Sequence, residues 1–462
     1  MFVSPLEAFA SYLGFPVEAI KYLLAFLCFY PMASLFYYIH FYTTLGSNTK
    51  HLYQVAMGGF FIQFVFGWTP LFIVLIPSAF TFVGVRVSKH KEMPRILTGL
   101  NLLFLVGCHL KRFLYLSPYD YEPSAVYMYL CIKLSTFAYD FYDLYSVDKR
   151  HSEASLLEFA GYVFLFPSVV SGPSCTFSEY RQFIDKSMFI GIDMTNPRVV
   201  NDRFQFGMKK LFFGLLYLVM FQALTSFVPV SYFGTKEFLQ NNSLMIMLYL
   251  YCLLLCLRIQ LYFVWTIVEG SFVLMGLGYS SSDGDSIDWS RMANIQPYFL
   301  ETCPYFHVFV RCWNKRTQEW LGLYIHKRFA TFGPRRGKIT IILTYLISSV
   351  WHGLFAGYLL SFLSLSLITI VNKNFRKIFA MYKIDIGGGL PREFFRVFLF
   401  ASISYCCVAQ SILLYKDIMH LWGGLYHVGH ITLLFLYIIT EIIIFFAPKD
   451  QQTPKIKPEK NE

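Results

Sequence analysis

The sequence predicts an all-α polytopic membrane protein, and three observations support this fold class. Hydrophobic residues make up 56% of the 462 residues and charged residues only 15%, whereas about a quarter of the residues in soluble domains are charged. The mean hydropathy is +0.49. Apolar segments of about the length that crosses a bilayer follow one another almost to the C-terminus. We expect a single multi-span domain over residues 1–447 and a solvated, cytosolic tail over 448–462.

The charge balance of the chain points to a lipid bilayer and not to nucleic acid. The formal net charge is +11, but the Lys and Arg residues form short clusters between apolar runs, as in cytoplasmic loops. The same positive field would favour an anionic ligand near one membrane face. The ten cysteines are scattered, with no C-x-x-C pair and no His/Cys cluster of zinc spacing, so we predict no metal site.

Two apolar segments are expected to break into shorter helices. The run 52–85 contains no Asp, Glu, Lys or Arg, but Trp68-Thr69-Pro70 interrupts it, which favours two short or re-entrant helices. The run 339–372 is too long for one helix across a bilayer, and Gly353 and Gly357 are the expected break points. Two polar inserts, 173–204 and 281–338, separate apolar segments, and we expect the second at the cytosolic face.

His352 is the residue most out of place in this chain. It lies deep in the uncharged run 339–372, and ionisable groups at such depth tend to face the protein interior or a wet cavity because lipid solvates them poorly. Trp351 precedes it, and Gly353 follows it and leaves room for a substrate or another backbone. The alternative is a structural histidine that is hydrogen-bonded to a neighbouring helix.

The stretch 311–329 has the periodicity of a helix with one distinctive face. That face consists of residues three or four positions apart, namely Trp313, Thr317, Trp320, Leu321, Tyr324 and Arg328. By itself the stretch is typical of an amphipathic interfacial helix. Asn314 lies at its start. An asparagine amide can polarise a thioester carbonyl and a neutral histidine can take a proton from a hydroxyl, so Asn314 and His352 together suggest acyl transfer.

These residues form a set that resembles the membrane-bound O-acyltransferase superfamily. The resemblance covers about residues 100–445 and lies in Trp313-Asn314, Trp320-Leu321, Tyr324, Trp351-His352-Gly353 and Gly357-Tyr358. More narrowly, the chain is similar to lysophospholipid acyltransferases. Residues 155–184 resemble their Gly-Pro motif and downstream tyrosine, residues 264–279 resemble their Glu-Gly helix, and residues 287–304 most resemble the lysophosphatidylcholine acyltransferase branch.

The resemblance implies a fold, a reaction and a location. The fold would have roughly 10–11 transmembrane or re-entrant helices around a central reaction cavity, in the membrane of the endoplasmic reticulum. The reaction would move a fatty acyl group from the co-substrate acyl-CoA to the free hydroxyl of a lysophospholipid, with no bound cofactor or metal. His352 would be the general base, and Asn314 would orient or polarise the thioester. The expected acceptor is lysophosphatidylcholine, with lysophosphatidylethanolamine and lysophosphatidylserine as further acceptors.

Further residues are expected to bind substrate. They are Trp313, Trp351, Gly353, Trp320, Tyr324, Arg328, Gly172, Pro173, Tyr180, Glu269 and Arg258. Arg258 and Glu269 are eleven residues apart and so share a helix face, where they either line a polar cavity or each pair with another group. A basic group could receive the phosphates of coenzyme A or could be ordinary loop charge, and it comprises Lys315, Arg316, Lys327, Arg328, Arg335, Arg336 and Lys338.

Three alternatives to the leading function stay open. One is a sibling head-group specificity for lysophosphatidylinositol, because Trp313-Asn314 resembles the sibling branches. Another is a protein or sterol O-acyltransferase, which the segments 155–184 and 287–304 disfavour. The third is a lipid transporter without enzymatic activity, which the lack of an internal repeat disfavours.

Overall fold

The fold of the described residues is almost entirely helical. The computed structural model describes residues 4–118, 120–147, 153–229, 232–233, 235–283, 286–330, 337–384 and 388–448. Their only sheet is a hairpin in which β1 (Ser281–Asp283) pairs antiparallel with β2 (Ser286–Asp288). The predicted all-α class is therefore confirmed. The predicted tail lies outside the described residues, apart from Pro448.

Eleven helices precede the hairpin in the described part of the chain. They are α1 (Pro5–Leu13), α2 (Val17–Tyr42), α3 (Ser47–Phe66), α4 (Trp68–Val87), α5 (Met93–Tyr115), α6 (Ser124–Val147), α7 (Leu156–Val163), α8 (Phe177–Ile184), α9 (Pro197–Phe227), α10 (Lys236–Leu239) and α11 (Ser243–Met275). Short 3-10 turns at Phe166–Ser168 and Ser187–Phe189 join some of them.

Ten helices follow the hairpin in the described part of the chain. They are α12 (Pro297–Thr302), α13 (Phe306–Cys312), α14 (Lys315–Trp320), α15 (Lys327–Ala330), α16 (Gly337–His352), α17 (Ala356–Tyr382), α18 (Leu390–Cys407), α19 (Ala409–Ile412), α20 (Tyr415–Gly424) and α21 (Val428–Phe446). A π-helical turn, Leu321–His326, links α14 to α15.

Eight helical segments of the described chain are long and apolar enough to cross a membrane. They are α2, α4, α5, α9, α11, α17, the Leu390–Ile412 segment that α18 and α19 form together, and α21. The two predicted interruptions are present. Gly67, with φ of 85°, separates α3 from α4, and Gly353, with φ of 149°, ends α16. Both values lie in the region that favours glycine. Gly357, in contrast, lies inside the first turn of α17.

The described chain divides into two compact units. Unit 1 comprises Met1–Val219, Gln260–Ile295 and Lys315–Trp320, and unit 2 comprises Met220–Ile259, Gln296–Asn314 and Leu321–Glu462. The core of unit 1 is rich in aromatic rings, such as Phe29 and Phe61, whose centroids lie 4.7 Å apart. In unit 2, α17 packs against α16, α18 and α21. The prediction of one domain over 1–447 stays a prediction.

Candidate active site

His352 is the last residue of α16, in unit 2, and aromatic rings surround it. Its imidazole stacks against Phe362 at 5.0 Å and against Tyr358 at 5.8 Å between ring centroids. The indole of Trp351, which is 1% exposed, meets the imidazole edge-on at 4.7 Å. His352 itself is half-buried. The arrangement holds the ring in one orientation while leaving part of it accessible.

The turn after His352 is fixed by a close backbone approach. The N–H of Gly357 donates to the carbonyl of Leu413 over 3.0 Å. A Cβ at Gly357 would lie 2.0 Å from the carbonyl oxygen of Ala409, so only glycine lets α17 approach α19 this closely. Because Tyr358 and Phe362 follow on the first turns of α17, this approach also sets the positions of the rings that pack on His352.

Asn314 lies in the tight turn between α13 and α14. Its φ is 44°, a left-handed conformation that asparagine adopts more readily than most residues. The residue is 8% exposed. The two residues that follow are tied to Asn294, whose backbone carbonyl accepts from the N–H of Lys315 at 2.9 Å and whose Oδ1 accepts from the N–H of Arg316 at 3.0 Å. The residues that follow Asn314 are therefore held within unit 1 by hydrogen bonds.

Within unit 2, the elements around Asn314 pack against the helices around His352. Helix α13, which ends just before Asn314, contacts α17, and the π-helical turn contacts α16. A hydrogen bond of 3.1 Å between His326 Nδ1 and Thr344 Oγ1 fastens the π-helical turn to α16. The helix that ends before Asn314 and the helix that begins after His352 are therefore packing neighbours.

The stretch 311–329 is not the single helix that its periodicity suggested. The left-handed turn at Asn314 and the π-helical turn divide it into α13, α14 and α15. The predicted face is nonetheless buried at Thr317, Trp320 and Tyr324. A π-helical turn widens the helix by one residue, and such turns recur at functional sites. Nothing in the apolar periodicity signals it.

The sequence did not predict a buried ion pair near the Asn314 turn. In unit 1, the guanidinium of Arg316 pairs with the carboxylate of Glu179, and its Nε donates to the carbonyl of Ser174 at 3.1 Å. The two side chains are 11% and 17% exposed. Arg291 NH1 lies 3.6 Å from the same carboxylate. Arg316 thus binds Glu179 and the carbonyl of Ser174 within unit 1. The sequence had suggested it as one of the residues that could receive the phosphates of coenzyme A.

The protonation of Glu179 follows from these partners. Burial by itself would raise the pKa of this carboxyl, but Arg316 and the N–H of Thr176 outweigh burial and hold the pKa below its ordinary value. Thr176 and Glu179 also form a capping box at the start of α8. That T-x-x-E pattern was a sequence signal for the helix start, though not for the partnership with Arg316.

The Gly-Pro motif and its tyrosine lie in the core of unit 1. Gly172 has φ of 67°, and a Cβ there would lie 2.1 Å from the ring of Tyr129. Pro173 is buried beside it. The hydroxyl of Tyr180 hydrogen-bonds to His51 Nδ1 at 2.8 Å. These contacts make the motif a packing element of unit 1, and a role in substrate binding stays a prediction.

Each of the two charged residues of α11 pairs with a different group. Arg258 Nε donates to Glu301 Oε1 at 2.8 Å, and its NH2 donates to Glu301 Oε2 at 3.1 Å, within unit 2. Glu269, 1% exposed and in unit 1, has Lys210 Nζ 2.7 Å from its Oε1. The spacing left two interpretations open, a shared polar cavity or separate pairing of each residue. The structure shows separate pairing.

The remaining predicted residues are on the segments around Asn314. The ring of Trp313 stacks on Phe309 at 6.3 Å. Trp320, 2% exposed, donates from Nε1 to Ser135 Oγ at 2.8 Å within unit 1. Arg328 is partly exposed on α15. Arg335 and Arg336 lie outside the described residues.

Comparisons with known proteins find one family and several acyltransferases that the chain resembles. The profile of the membrane-bound O-acyltransferase family matches residues 23–411. The chain is 28% identical to a lysophospholipid acyltransferase of Schizosaccharomyces pombe, over 96% of this chain and 89% of that protein. It is 24% identical to membrane-bound glycerophospholipid O-acyltransferase 1 of Mus musculus, over 97% of this chain and 94% of that protein. A lysophospholipid acyltransferase of Saccharomyces cerevisiae is also 24% identical, over 89% of this chain and 73% of that protein.

The family match covers most of the chain and includes both Asn314 and His352. The eight candidate spans agree with a polytopic enzyme of this kind. Because the match extends over residues 23–411, the chain belongs to the membrane-bound O-acyltransferase family.

Proposed function

We propose that this protein is an acyl-CoA-dependent lysophospholipid acyltransferase of the endoplasmic reticulum membrane. The observation that carries the proposal is the placement of His352 against Trp351, Tyr358 and Phe362, in the unit that also holds Asn314. The relatives named lysophospholipid acyltransferases and the glycerophospholipid O-acyltransferase support the substrate class.

The proposed reaction needs one base and one hydrogen-bond donor. A ring nitrogen of His352 takes the proton of the lysolipid hydroxyl as its oxygen attacks the thioester carbonyl carbon. The side-chain amide of Asn314 donates a hydrogen bond to the carbonyl oxygen, which gains negative charge in the transition state. The carbon–sulfur bond then breaks, and the imidazolium returns the proton to the thiolate of coenzyme A. The products are a phospholipid ester and free coenzyme A.

The substrate-binding residues of the proposal fall into two groups. In unit 2, Trp313, Trp351, Gly353, Tyr324, Arg328 and Arg258 are the candidates. In unit 1, Trp320, Gly172, Pro173, Tyr180 and Glu269 are the candidates. The aromatic rings adjoining His352 have the best support because they touch the reacting histidine. Arg258 and Glu269 already have partners within their units, so for them we propose an indirect, positioning role.

The proposal also specifies the head group of the acceptor. We propose lysophosphatidylcholine as the preferred acceptor, with lysophosphatidylethanolamine and lysophosphatidylserine as further acceptors. The names of the relatives support lysophospholipids and glycerophospholipids in general. The alternative head-group specificity is a preference for lysophosphatidylinositol.

The test is an acceptor panel with purified protein in lipid nanodiscs. Labelled acyl-CoA is supplied with lysophosphatidyl-choline, -ethanolamine, -serine and -inositol, and with a sterol and a peptide acceptor. We expect transfer to lysophospholipids with the choline form fastest. Transfer only to the sterol or the peptide would overturn the substrate class, and lipid movement without any acyl transfer would identify a transporter instead.

A further inference from the structure

Leu413, the residue that follows α19, adopts a backbone conformation that leucine rarely takes. Its φ is 63° and its ψ is −42°. The N–H of Leu414 donates to the carbonyl of Ile412 over 2.7 Å, so these three residues form a γ-turn with Leu413 at its centre. The form of this turn with a positive φ at its centre is rare and strained. Such strain clusters at functional sites, which makes Leu413 a candidate for a functional role.

Two features hold Leu413 in this conformation. The residue is buried, with an exposed fraction of 4%, so its apolar side chain is kept away from water. Its N–H donates to the carbonyl of Ala409 over 2.9 Å, which closes the last turn of α19. A strained residue persists only where the surrounding structure over-determines its conformation. Burial on one side and the helix end on the other supply that constraint.

The strained turn brings the carbonyl of Leu413 to the first turn of α17. This carbonyl accepts from the N–H of Gly357 over 3.0 Å. The first N–H groups of a helix have no acceptor within that helix, and the N-cap residue Phe355 makes no side-chain capping hydrogen bond. A Cβ at Gly357 would lie 2.8 Å from the Cα of Leu413. The two backbones therefore touch, and Leu413 supplies an acceptor that α17 itself lacks.

The start of α17 in turn sets the rings beside His352. Tyr358 follows Gly357 directly, and Phe362 lies about one turn later on the same helix. Their rings stack on the imidazole with centroid distances of 5.8 and 5.0 Å. A shift of the first turn of α17 would therefore move both rings against the imidazole. Leu413 and these residues all belong to unit 2.

Packing alone would not explain the conformation of Leu413. A leucine just after a helix can fill an apolar space with an ordinary negative φ, and the left-handed positions at helix ends usually carry glycine or asparagine. The γ-turn adds the direction of the Leu413 carbonyl, which points at the N–H of Gly357. The strain is thus linked to the contact that fixes the turn after His352.

We propose that Leu413 is a positioning residue for His352. Its strained turn fixes the start of α17 and, through α17, the rings that orient the imidazole. This inference rests on the proposed acyl transfer, in which His352 is the base. A base acts only within hydrogen-bond reach of the hydroxyl that it deprotonates, and a misplacement of about 1 Å can slow a reaction roughly 10²-fold.

Two pairs of variants, assayed as full-length protein in nanodiscs, separate positioning from packing. Leu413→Ile and Leu413→Met both keep a large apolar side chain, but a β-branched residue disfavours a positive φ. Leu413→Ala and Leu413→Gly both remove the side chain, but only glycine accepts a positive φ without strain. We expect a kcat about tenfold lower in Leu413→Ile than in Leu413→Met, and lower in Leu413→Ala than in Leu413→Gly, with KM for acyl-CoA nearly unchanged. Equal kcat within each pair would overturn the proposal.

A matched control and a second readout complete the experiment. Leu421→Ile makes the same change at a buried leucine inside α20 and should keep the wild-type kcat. The second readout is the rate at which diethyl pyrocarbonate modifies His352, followed by mass spectrometry. We expect faster modification in Leu413→Ile than in Leu413→Met, because displaced rings expose the imidazole. An inactive wild type would contradict the proposed function, and these rates would then decide on Leu413. Equal rates in the two variants would overturn its role.

Discussion

The turn that carries Asn314 and the turn that follows His352 both interrupt helices, but different forces hold them. Polar groups fix the residues after Asn314, through the two hydrogen bonds to Asn294 and the buried pair of Arg316 and Glu179. Apolar contact fixes His352, through the surrounding rings and the close approach at Gly357.

The difference predicts which substitutions each turn should tolerate poorly. A polar network in a buried place depends on every partner, because the loss of one leaves another charge or N–H group unsatisfied. A packed aromatic surround depends on volume and shape and is insensitive to a distant charge. The Asn314 side should therefore fail on a change of charge, and the His352 side on a change of size.

The largest effect on stability is expected from Arg316→Met. It removes the nearest cation from the buried Glu179 carboxylate and leaves Arg291 NH1, at 3.6 Å, as its ionic partner, which should cost up to about 3–5 kcal/mol. The double variant Glu179→Gln with Arg316→Met should be less destabilised than Arg316→Met alone. Denaturation in mixed micelles measures both. The control is Arg396→Met, which breaks a surface pair with Glu393 and should cost at most about 1 kcal/mol. Equal losses for Arg316→Met and Arg396→Met would contradict the role of the buried pair.

Gly357→Ala should test the close approach of α17 to α19 that fixes the turn after His352. The added Cβ would meet the carbonyl oxygen of Ala409, and overpacking of this kind costs about 1–3 kcal/mol. We expect lower stability and a lower kcat, since α17 carries the rings next to His352. Gly423→Ala is the control, because a Cβ there has nothing within 4 Å. If both variants behave alike, the close approach does not set the turn.

Phe362→Leu should have a smaller effect on stability, together with an effect on catalysis. It removes the ring stacked on His352 while keeping an apolar side chain, and aromatic pairs contribute about 0.5–1.5 kcal/mol beyond their buried area. We expect kcat to fall by up to roughly tenfold with KM for acyl-CoA nearly unchanged. Steady-state kinetics of Phe362→Leu beside Leu363→Ala, an exposed neighbour, provides the comparison. A change in KM alone would place Phe362 in substrate binding.

The smallest effect concerns pH. Because the pKa of Glu179 in the folded state lies below 4.5, its ion pair stabilises the fold above the unfolded-state pKa. That contribution is lost only as the pH falls through the folded-state value. Stability measured between pH 7 and pH 5 should therefore not change on account of this pair. Below about pH 4.5 the wild type should lose stability that Glu179→Gln never had. Parallel pH curves for the two proteins would mean that the pair contributes nothing.

Local signals made some of these features predictable from the sequence. The break between α3 and α4 follows from the interruption at Trp68-Thr69-Pro70, and the break after His352 follows from Gly353. The depth of His352 in an uncharged run also marked it as a residue with a special environment. In each case one short stretch of sequence carries the physical reason.

Partners far apart in sequence made the other features unpredictable. Arg316 and Glu179 are 137 residues apart, and Arg316 looks like its basic neighbours until the fold buries it. The π-helical turn has no signal in an apolar periodicity of three and four.

The most direct test of the central claim compares two histidines of unit 2. His352→Gln removes the proposed base. His430→Gln is the matched control, since both ring nitrogens of His430 are 3.1 Å from the hydroxyls of Ser364 and Tyr405. Single-turnover transfer from acyl-CoA to lysophosphatidylcholine should be about 10²–10⁴-fold slower in His352→Gln, with acyl-CoA still bound, while His430→Gln keeps most of the wild-type rate. A wild-type rate in His352→Gln would contradict the account.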